Sequence, residues 1–252
     1  MTCVGILVPL VSELATLSPL RLKQAHIHRM NTSTLVCLAG MGQEASSRAT
    51  MALLDAGATH LLNWGCCGAL DKALKPGTLS LPPSVIYQDA KYKSDPAWHT
   101  RLHMTLQSTL HTDAQGLLFS STTVLPDGSS KLATREVTGA VAVDMESGAM
   151  AHIASANNIP FAVLRGVADG VGHTIPATVS AALGPTGQIN GLKLMAGILG
   201  APRDLPALLQ LGYRFSLAAR SLKKAADLLE NADWCHRPSD QIRHSPTVTG
   251  QP

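Results

Sequence analysis

The stretch Thr34-Leu35-Val36-Cys37-Leu38-Ala39-Gly40-Met41-Gly42 decides the fold, because an apolar run ends here in a glycine turn. Glu44–Asp55 follows with the composition of a helix, and Gly57 closes it. A further apolar run, His60–Trp64, then ends in the turn residues Gly65-Cys66-Cys67-Gly68. A strand, a helix and a strand in this order predict two parallel strands joined by a helix.

The same alternation extends to both sides of this unit. Val4–Val8 and Phe161–Val167 are short apolar runs of the kind found in buried strands. The pattern predicts an α/β fold with three layers, α/β/α, around a central mixed, mainly parallel sheet. Such sheets bind ligands at the carboxyl ends of their strands. The other predicted strands are Leu79–Ile86, interrupted at Pro82-Pro83, and Gly116–Ser120 and Ala140–Val143. The other predicted helices are Ser12–Leu22, with a break at Pro19, and Ala97–Leu110 and Ser147–Ala156.

The last third of the chain has a different character. Residues 170–204 are rich in Gly and Pro and predict loops with a short helix, whereas Leu205–Glu230 predicts one long helix. We expect a single domain over residues 1–236, including this helix, and a disordered polar tail over residues 237–252.

The long helix carries an apolar stripe at three- and four-residue spacing. We expect the stripe to pack on the sheet or on a second subunit. The alternative is peripheral contact with a membrane through basic side chains of the same helix. The stripe consists of Leu208, Leu211, Phe215, Ala218, Leu222, Ala225 and Leu229, and the basic side chains are Arg220, Lys223 and Lys224.

Composition excludes several classes of protein. The 252 residues carry a net charge of +3, with 15% charged and 45% hydrophobic residues, which argues against a disordered chain and against a polybasic nucleic-acid binder. We expect a cytoplasmic protein, because no basic leader precedes the first apolar run and no apolar run is long enough to span a membrane. Five cysteines without a CxxC pair and ten histidines without a ligand pattern support neither a metal nor a cofactor.

The first candidate motif is Gly40-x-Gly42-x-x-Ala45, which lies between a predicted strand and a predicted helix. Alone, it fits a dinucleotide fingerprint. That fingerprint also needs an acidic residue at the end of the next strand, where this chain has Gly65–Gly68 instead. A tight turn with close helix packing is the favoured interpretation, and a nicotinamide-dependent oxidoreductase stays an alternative.

Two further motifs bring carboxylates to strand ends. Val143-Asp144-Met145-Glu146-Ser147-Gly148 places two acids at the start of a helix, where Asp144 can also serve as a capping residue. Leu164-Arg165-Gly166-Val167-Ala168-Asp169-Gly170 ends a buried strand in an Asp-Gly pair, which is also common in ordinary turns.

Taken in order, these segments resemble the purine nucleoside phosphorylase / methylthioadenosine–adenosylhomocysteine nucleosidase superfamily. The later segments Thr174–Ala177 and Leu183–Gly187, with the Leu-rich helix, resemble its hopanoid-associated branch, which is implicated in removing adenine from adenosylhopane. The resemblance covers about residues 4–170 and rests on Gly5-Ile6 with Glu13, Gly40-Met41-Gly42, Asn63–Leu70 with Lys75-Pro76-Gly77, Val143–Glu146 and Arg165–Asp169.

The resemblance implies cleavage of the N-glycosidic bond of an adenosine-type nucleoside that bears a 5′ substituent. It implies that Asp169 protonates the departing purine, which requires burial or a neighbouring carboxylate to hold the proton at neutral pH. It further implies that Glu13 activates water and that Glu146 grips the ribose hydroxyls. The remaining implied substrate-binding residues are Met145 against the sugar, Val124 near the base, and Asn63, Cys66, Cys67 and Gly68 on the glycine-rich segment.

The resemblance leaves the nucleophile open. Bacterial phosphorylases carry Arg at the position of Asn63 and Ser at that of Cys66, whereas nucleosidases share the Asn, so water is favoured over phosphate. Backbone N–H groups of Gly65–Gly68 remain a candidate anion site, with Arg21 or Arg48 as candidate helpers. A non-catalytic nucleoside-binding protein is a further alternative, because Cys66 and Ala168 each replace a usual Ser. The family also forms dimers or larger assemblies.

Overall fold

Strands and helices alternate along the chain, as a parallel sheet requires. The computed structural model describes residues 2–172 and 205–230. In chain order the elements are β1 (Val4–Val8), α1 (Val11–Leu17), β2 (Ile27–Asn31), β3 (Thr34–Leu38), α2 (Gln43–Asp55), β4 (His60–Ala69), β5 (Leu79–Ser80), β6 (Ser84–Tyr87), β7 (Ala90–Lys93), α3 (Pro96–Leu106), β8 (Thr112–Asp113), β9 (Leu118–Ser120), α4 (Gly128–Thr138), β10 (Ala142–Asp144), α5 (Ser147–Ala156), β11 (Phe161–Asp169) and α6 (Leu205–Glu230).

The sheet is mixed and mainly parallel, which confirms the predicted fold class. Its strand order is β2-β3-β1-β4-β10-β9-β6-β7, and β11 pairs with β4 and β5. Parallel pairs include β1 with β3, β1 with β4, and β4 with β11. The antiparallel pairs are β2 with β3, β4 with β10, β5 with β11, and β6 with β7. Strand β4 contacts β1, β10 and β11, and it forms the centre of the sheet.

The predicted end of the central strand at Trp64 is wrong. Strand β4 continues to Ala69, so Gly65–Gly68 is strand and not turn. The extension is stabilised on both sides, because Cys66 and Cys67 pair with β11 and Gly68 pairs with β10. Ladder hydrogen bonds of this kind outweigh the weak strand propensity of glycine.

Apolar side chains cover both faces of the sheet and give three layers. Helices α2 and α5 pack on one face through residues such as Leu53 and Met150. Helices α1, α3 and α6 pack on the other through Leu14, Trp98 and Leu222. Successive side chains of a strand point to opposite faces, so the inner strands contribute alternate residues to the cores on both sides of the sheet.

Helix α6 has the predicted bounds, and the second half of its apolar stripe packs on the sheet. Ala218, Leu222, Ala225 and Leu229 are buried, whereas Leu208, Leu211 and Phe215 are only partly buried. A Cβ at Gly166 of β11 would lie 3.2 Å from the Ala218 Cβ, so the helix approaches the strand backbone closely there. Arg220, Lys223 and Lys224 are exposed. Among residues 2–172 and 205–230, no helix has the length and apolarity to span a membrane.

Two boundaries lie at the predicted prolines. Helix α1 ends at Leu17, before Pro19, and Pro82-Pro83 separates β5 from β6. Four elements were not predicted, namely β2, β7, β8 and α4, because none of them shows a clear apolar period. The loops predicted for 173–204 and the tail predicted for 237–252 lie outside the described residues.

Candidate functional site

The carboxyl-terminal half of β4 brings the three predicted acids to one edge of the sheet. Glu13 lies in the first turn of α1, directly after β1, and its carboxylate binds the N–H of Cys66. Asp169 ends β11 in register with Gly68, and Glu146 follows β10, which pairs with Gly68 through Val143. Because Cys66 and Gly68 are two residues apart, their positions are about 7 Å apart along the strand.

Glu13 is a buried carboxylate whose hydrogen bonds come from the backbone. Its residue is 3% exposed; Oε1 accepts the Cys66 N–H at 2.7 Å and Oε2 accepts the Leu10 N–H at 3.0 Å. Burial raises the pKa of Glu13 to about 7, with a further contribution from the Glu146 charge, while Arg165 acts in the opposite direction. A carboxyl group with this pKa changes protonation near neutral pH, as a general base must.

Gly65 gives Glu13 and Arg165 the space to meet above β4. A Cβ at this position would lie 2.5 Å from Arg165 Nη1 and 2.9 Å from Glu13 Cδ, which is closer than real Cβ atoms approach. The glycine signal that suggested a turn is therefore explained by the close approach of two functional side chains.

Arg165 is fully buried and joins the acids to one another. Its Nη2 lies 2.6 Å from Asp144 Oδ2 and 3.3 Å from Glu146 Oε2, and Nη1 donates to the Cys66 carbonyl at 3.3 Å. Sequence analysis recorded the Arg-x-x-x-Asp spacing but assigned Arg165 no role. Spacing alone could not indicate that two carboxylates from another segment would hold this guanidinium.

Asp144 combines the predicted capping role with a second one. It accepts the Ser147 N–H at the start of α5 at 3.2 Å and the Ser120 hydroxyl at 2.7 Å. The same carboxylate holds Arg165. Asp144 therefore fixes the guanidinium that lies between Glu13 and Glu146.

Glu146 is 6% exposed and links α5 to the glycine turn before α2. Its Oε1 accepts the Gly42 N–H at 3.1 Å, and its Oε2 faces Arg165. Burial raises the pKa of Glu146, with Arg165 opposing and Asp144 adding to the rise. The donor that a dinucleotide phosphate would use in the Gly40-x-Gly42 turn is thus bound to a carboxylate of the protein itself.

Asp169 has a cation as its neighbour, which differs from the expected carboxylate. Its Oδ2 forms an ion pair with Nζ of Lys131, a side chain that is only 2% exposed. Lys131 also donates to the Gly170 carbonyl at 3.0 Å. Sequence analysis missed Lys131, because nothing in its local sequence relates it to an aspartate 38 residues away.

The remaining predicted site residues divide into two groups. Asn63 and Cys67 are buried within β4, so they contribute to the core of the described structure. Cys66, Gly68 and Met145 are partly exposed beside the acids, and Val124 is 41% exposed in the loop before α4. The pKa of the Cys66 thiol is raised well above its usual value by burial and by Glu13, so this thiol is a poor nucleophile.

Other possible sites lie apart from these residues. Cavities of about 790 and 520 Å³ border the middle and the carboxyl-terminal turns of α6, and none of the predicted site residues lines either one. In the part of the chain that the structure describes, no three His, Cys, Asp or Glu residues are grouped as metal ligands.

Comparison with known families gives one match that covers most of the chain. The model of the phosphorylase superfamily matches residues 8–191. A 5′-methylthioadenosine/S-adenosylhomocysteine nucleosidase from Buchnera aphidicola is 30% identical over 129 residues, and the match covers 43% of this chain and 50% of the relative. The chain thus spans about half the length of that curated relative.

Solved structures with the same fold have much lower sequence identity. A 5′-methylthioadenosine/S-adenosylhomocysteine nucleosidase from Neisseria meningitidis, in complex with methylthio-immucillin-A, superposes with a TM-score of 0.67 at 16% identity, covering 92% of this chain and 100% of its own. Futalosine hydrolase from Helicobacter pylori gives a TM-score of 0.63 at 16% identity, covering 90% and 97%. At such identities the likeness shows the fold alone.

Proposed function

This chain belongs to the phosphorylase superfamily, and we propose that it cleaves the N-glycosidic bond of an adenosine-type nucleoside and releases adenine. The observation that carries the proposal is the group of three acids at one sheet edge, with Glu13 at a pKa of about 7. The nucleosidase relative, which matches over half its length, supports the same chemistry.

The proposed roles follow from the chemistry of the bond. The base departs more easily once a ring nitrogen is protonated, and Asp169 supplies that proton. The sugar then resembles an oxocarbenium ion, and Glu13 takes a proton from the water that attacks it. Glu146 binds the ribose hydroxyls and Met145 packs on the sugar, while Arg165 keeps Glu146 in place.

Water is the proposed nucleophile, because several groups that could bind a phosphate are already used. The N–H of Cys66 binds Glu13, and Arg165 is committed to Asp144 and Glu146. Arg48 is a surface side chain paired with Glu44. A phosphate dianion would meet these carboxylates at close range, which is unfavourable.

The 5′ substituent is proposed from the resemblance to the hopanoid-associated branch. This resemblance favours a lipid-linked adenosine such as adenosylhopane over a nucleoside with a small 5′-thioether group. We also propose that the protein forms a homo-oligomer and makes peripheral contact with a membrane.

Free adenine is the product that tests it. The protein is incubated with adenosine, methylthioadenosine, adenosylhomocysteine and a lipid-linked adenosine, each with and without inorganic phosphate. We expect adenine release without phosphate, most rapid with the lipid-linked substrate, and a loss of at least about 100-fold in Glu13→Gln and Asp169→Asn. Glu44→Gln, an exposed acid on α2, is the matched control.

Each other outcome has a definite meaning. Release that requires phosphate assigns the chain to the phosphorylases. Binding of the nucleosides without any release assigns it to non-catalytic binding proteins. Full activity in Asp169→Asn excludes Asp169 as the acid.

A further inference from the structure

Helix α4 is a polar helix whose one buried side chain is a lysine. Lys131 is 2% exposed, whereas every other residue of Gly128–Thr138 is at least partly exposed. Placing an ammonium in the protein interior is costly unless it is paired and hydrogen-bonded. Because α4 buries only Lys131, the contacts of Lys131 explain the position of the helix.

The first turn of α4 directs Lys131 at the end of β11. Asp127 caps the helix by accepting the Ser130 N–H at 2.8 Å, which fixes the turn that precedes Lys131. A Cβ at Gly128 would lie 2.9 Å from the Val171 carbonyl, so the helix start packs on the segment after Asp169. Lys131 then meets Asp169 Oδ2 and the Gly170 carbonyl together.

This geometry conflicts with a simple acid role for Asp169. Asp169 is held in an ion pair by the buried Lys131 ammonium, and a carboxylate in an ion pair has no proton of its own to give. The proton that the departing base needs must therefore be stored elsewhere in the pair, and the ammonium is the group that holds it.

We propose that Lys131 is the proton-storing and positioning partner of Asp169, so that the two side chains act as one acid. This inference rests on the proposed function. As the glycosidic C–N bond breaks, its electron pair stays on the base. A proton passes from Lys131 Nζ to the Asp169 carboxylate and from the Asp169 carboxyl to a ring nitrogen of the base. Lys131 is left as a neutral amine and regains a proton from solvent, while Glu13 releases the proton it took from water.

Other charges on the packed elements set the field around the pair. They are Asp127 on α4, Arg165 on β11, and Asp144 and Glu146 at the end of β10. Arg165 is neutralised by its two carboxylates, and the Asp127 carboxylate accepts from the Ser129 hydroxyl and the Ser130 N–H. The ion pair between Lys131 and Asp169 acts directly on the position of the shared proton.

The decisive comparison is between Lys131→Arg and Lys131→Met. Arginine keeps the positive charge but does not release a proton, whereas methionine removes the charge at similar length. We measure kcat/KM for adenine release from methylthioadenosine at about pH 6 to 10, and the melting temperature of each variant. Arg135→Met, which removes the ion pair of α4 with Asp71, is the matched control.

In the wild type we expect activity to persist above about pH 8, since the ammonium keeps the proton. Lys131→Met is expected to lose at least about tenfold at pH 8 and to move the alkaline limb of the profile to lower pH. Lys131→Arg is expected to melt near the wild-type temperature and yet lose at least about tenfold in kcat. Arg135→Met is expected to keep the wild-type profile.

Several results would overturn this role. A Lys131→Arg enzyme within about threefold of the wild type shows that the charge suffices and no proton is passed. An unmoved alkaline limb in Lys131→Met shows that the Lys131 ammonium does not store the proton. If neither variant folds, a wild-type alkaline limb below about pH 8 still excludes the ammonium as the proton store. No adenine release by the wild type on any substrate overturns the proposed function and this role with it, whereas an active wild type with unaffected variants overturns only this role.

Discussion

Glu13 is a single carboxyl group whose burial makes the stability of the whole chain depend on pH. In the folded state its pKa is about 7, against 4.5 for the ordinary side chain. The folded state therefore holds this proton more tightly than the unfolded state. Its stabilising effect is complete below about pH 4.5 and is lost as the pH rises to about 7.

Replacement by glutamine should remove this dependence, because an amide does not titrate. Between about pH 5 and pH 8 we expect the wild type to lose on the order of 3 kcal/mol more unfolding free energy than Glu13→Gln. Urea unfolding at the two pH values measures the difference. Glu44→Gln, which alters a carboxylate with an 88% exposed side chain, should follow the wild type. Parallel behaviour of Glu13→Gln and the wild type would show that Glu13 is ionised throughout this range.

The sequence predicted the three acids but not the side chains that contact them. Glu146 and Asp169 follow predicted strands, whereas Glu13 was predicted from the family pattern alone. Arg165 and Lys131 were not predicted to contact them, because each acts through contacts between segments distant in the chain. The role of a buried cation becomes clear only when the structure shows which carboxylate it pairs with.

At the scale of elements, helix α6 stabilises the fold through the second half of its stripe. Leu222 is fully buried, and its Cγ lies 3.2 Å from the position of a Cβ on Gly166. Leu222→Ala should lower the unfolding free energy by about 2–5 kcal/mol, since a cavity would remain over β11. Leu209→Ala, on a residue that is 67% exposed, should change it by less than about 0.5 kcal/mol.

Denaturant unfolding of both variants measures this difference. Equal losses would mean that Leu209 is also covered in solution. An unchanged Leu222→Ala would mean that α6 does not stabilise the sheet.

Two errors in the predicted elements have physical causes. Strand β4 is longer than predicted, because pairing with β10 and β11 overrides the local preference of Gly65–Gly68 for a turn. Helix α4 was missed because it lacks an apolar face, although Asp127 three residues before Ser130 is a helix-start signal. The length of β4 depends on pairing with distant strands. The start of α4 depends on a local capping residue, which a search for apolar periodicity does not detect.

At the scale of the whole molecule, ligand binding distinguishes a nucleoside site from a dinucleotide site. The Gly42 N–H is held by Glu146, so the turn before α2 offers a pyrophosphate one donor fewer, and a carboxylate in its place. The acids at the edge of β4 suit a ribose and a base with proton-accepting nitrogens. A ligand bound only by the folded state raises its stability by mass action.

We therefore expect adenine to raise the melting temperature and NAD to leave it unchanged. At about a hundred times its Kd, adenine should contribute about 2.7 kcal/mol, and at roughly 2–4 °C per kcal/mol the shift is about 5–10 °C. Thermal melts with adenine, NAD and no ligand make the comparison. Asp169→Asn is expected to reduce the adenine shift, because it alters the group that we propose to contact the base. A shift with NAD and none with adenine would restore the oxidoreductase alternative that the glycine pattern at Gly40 first suggested.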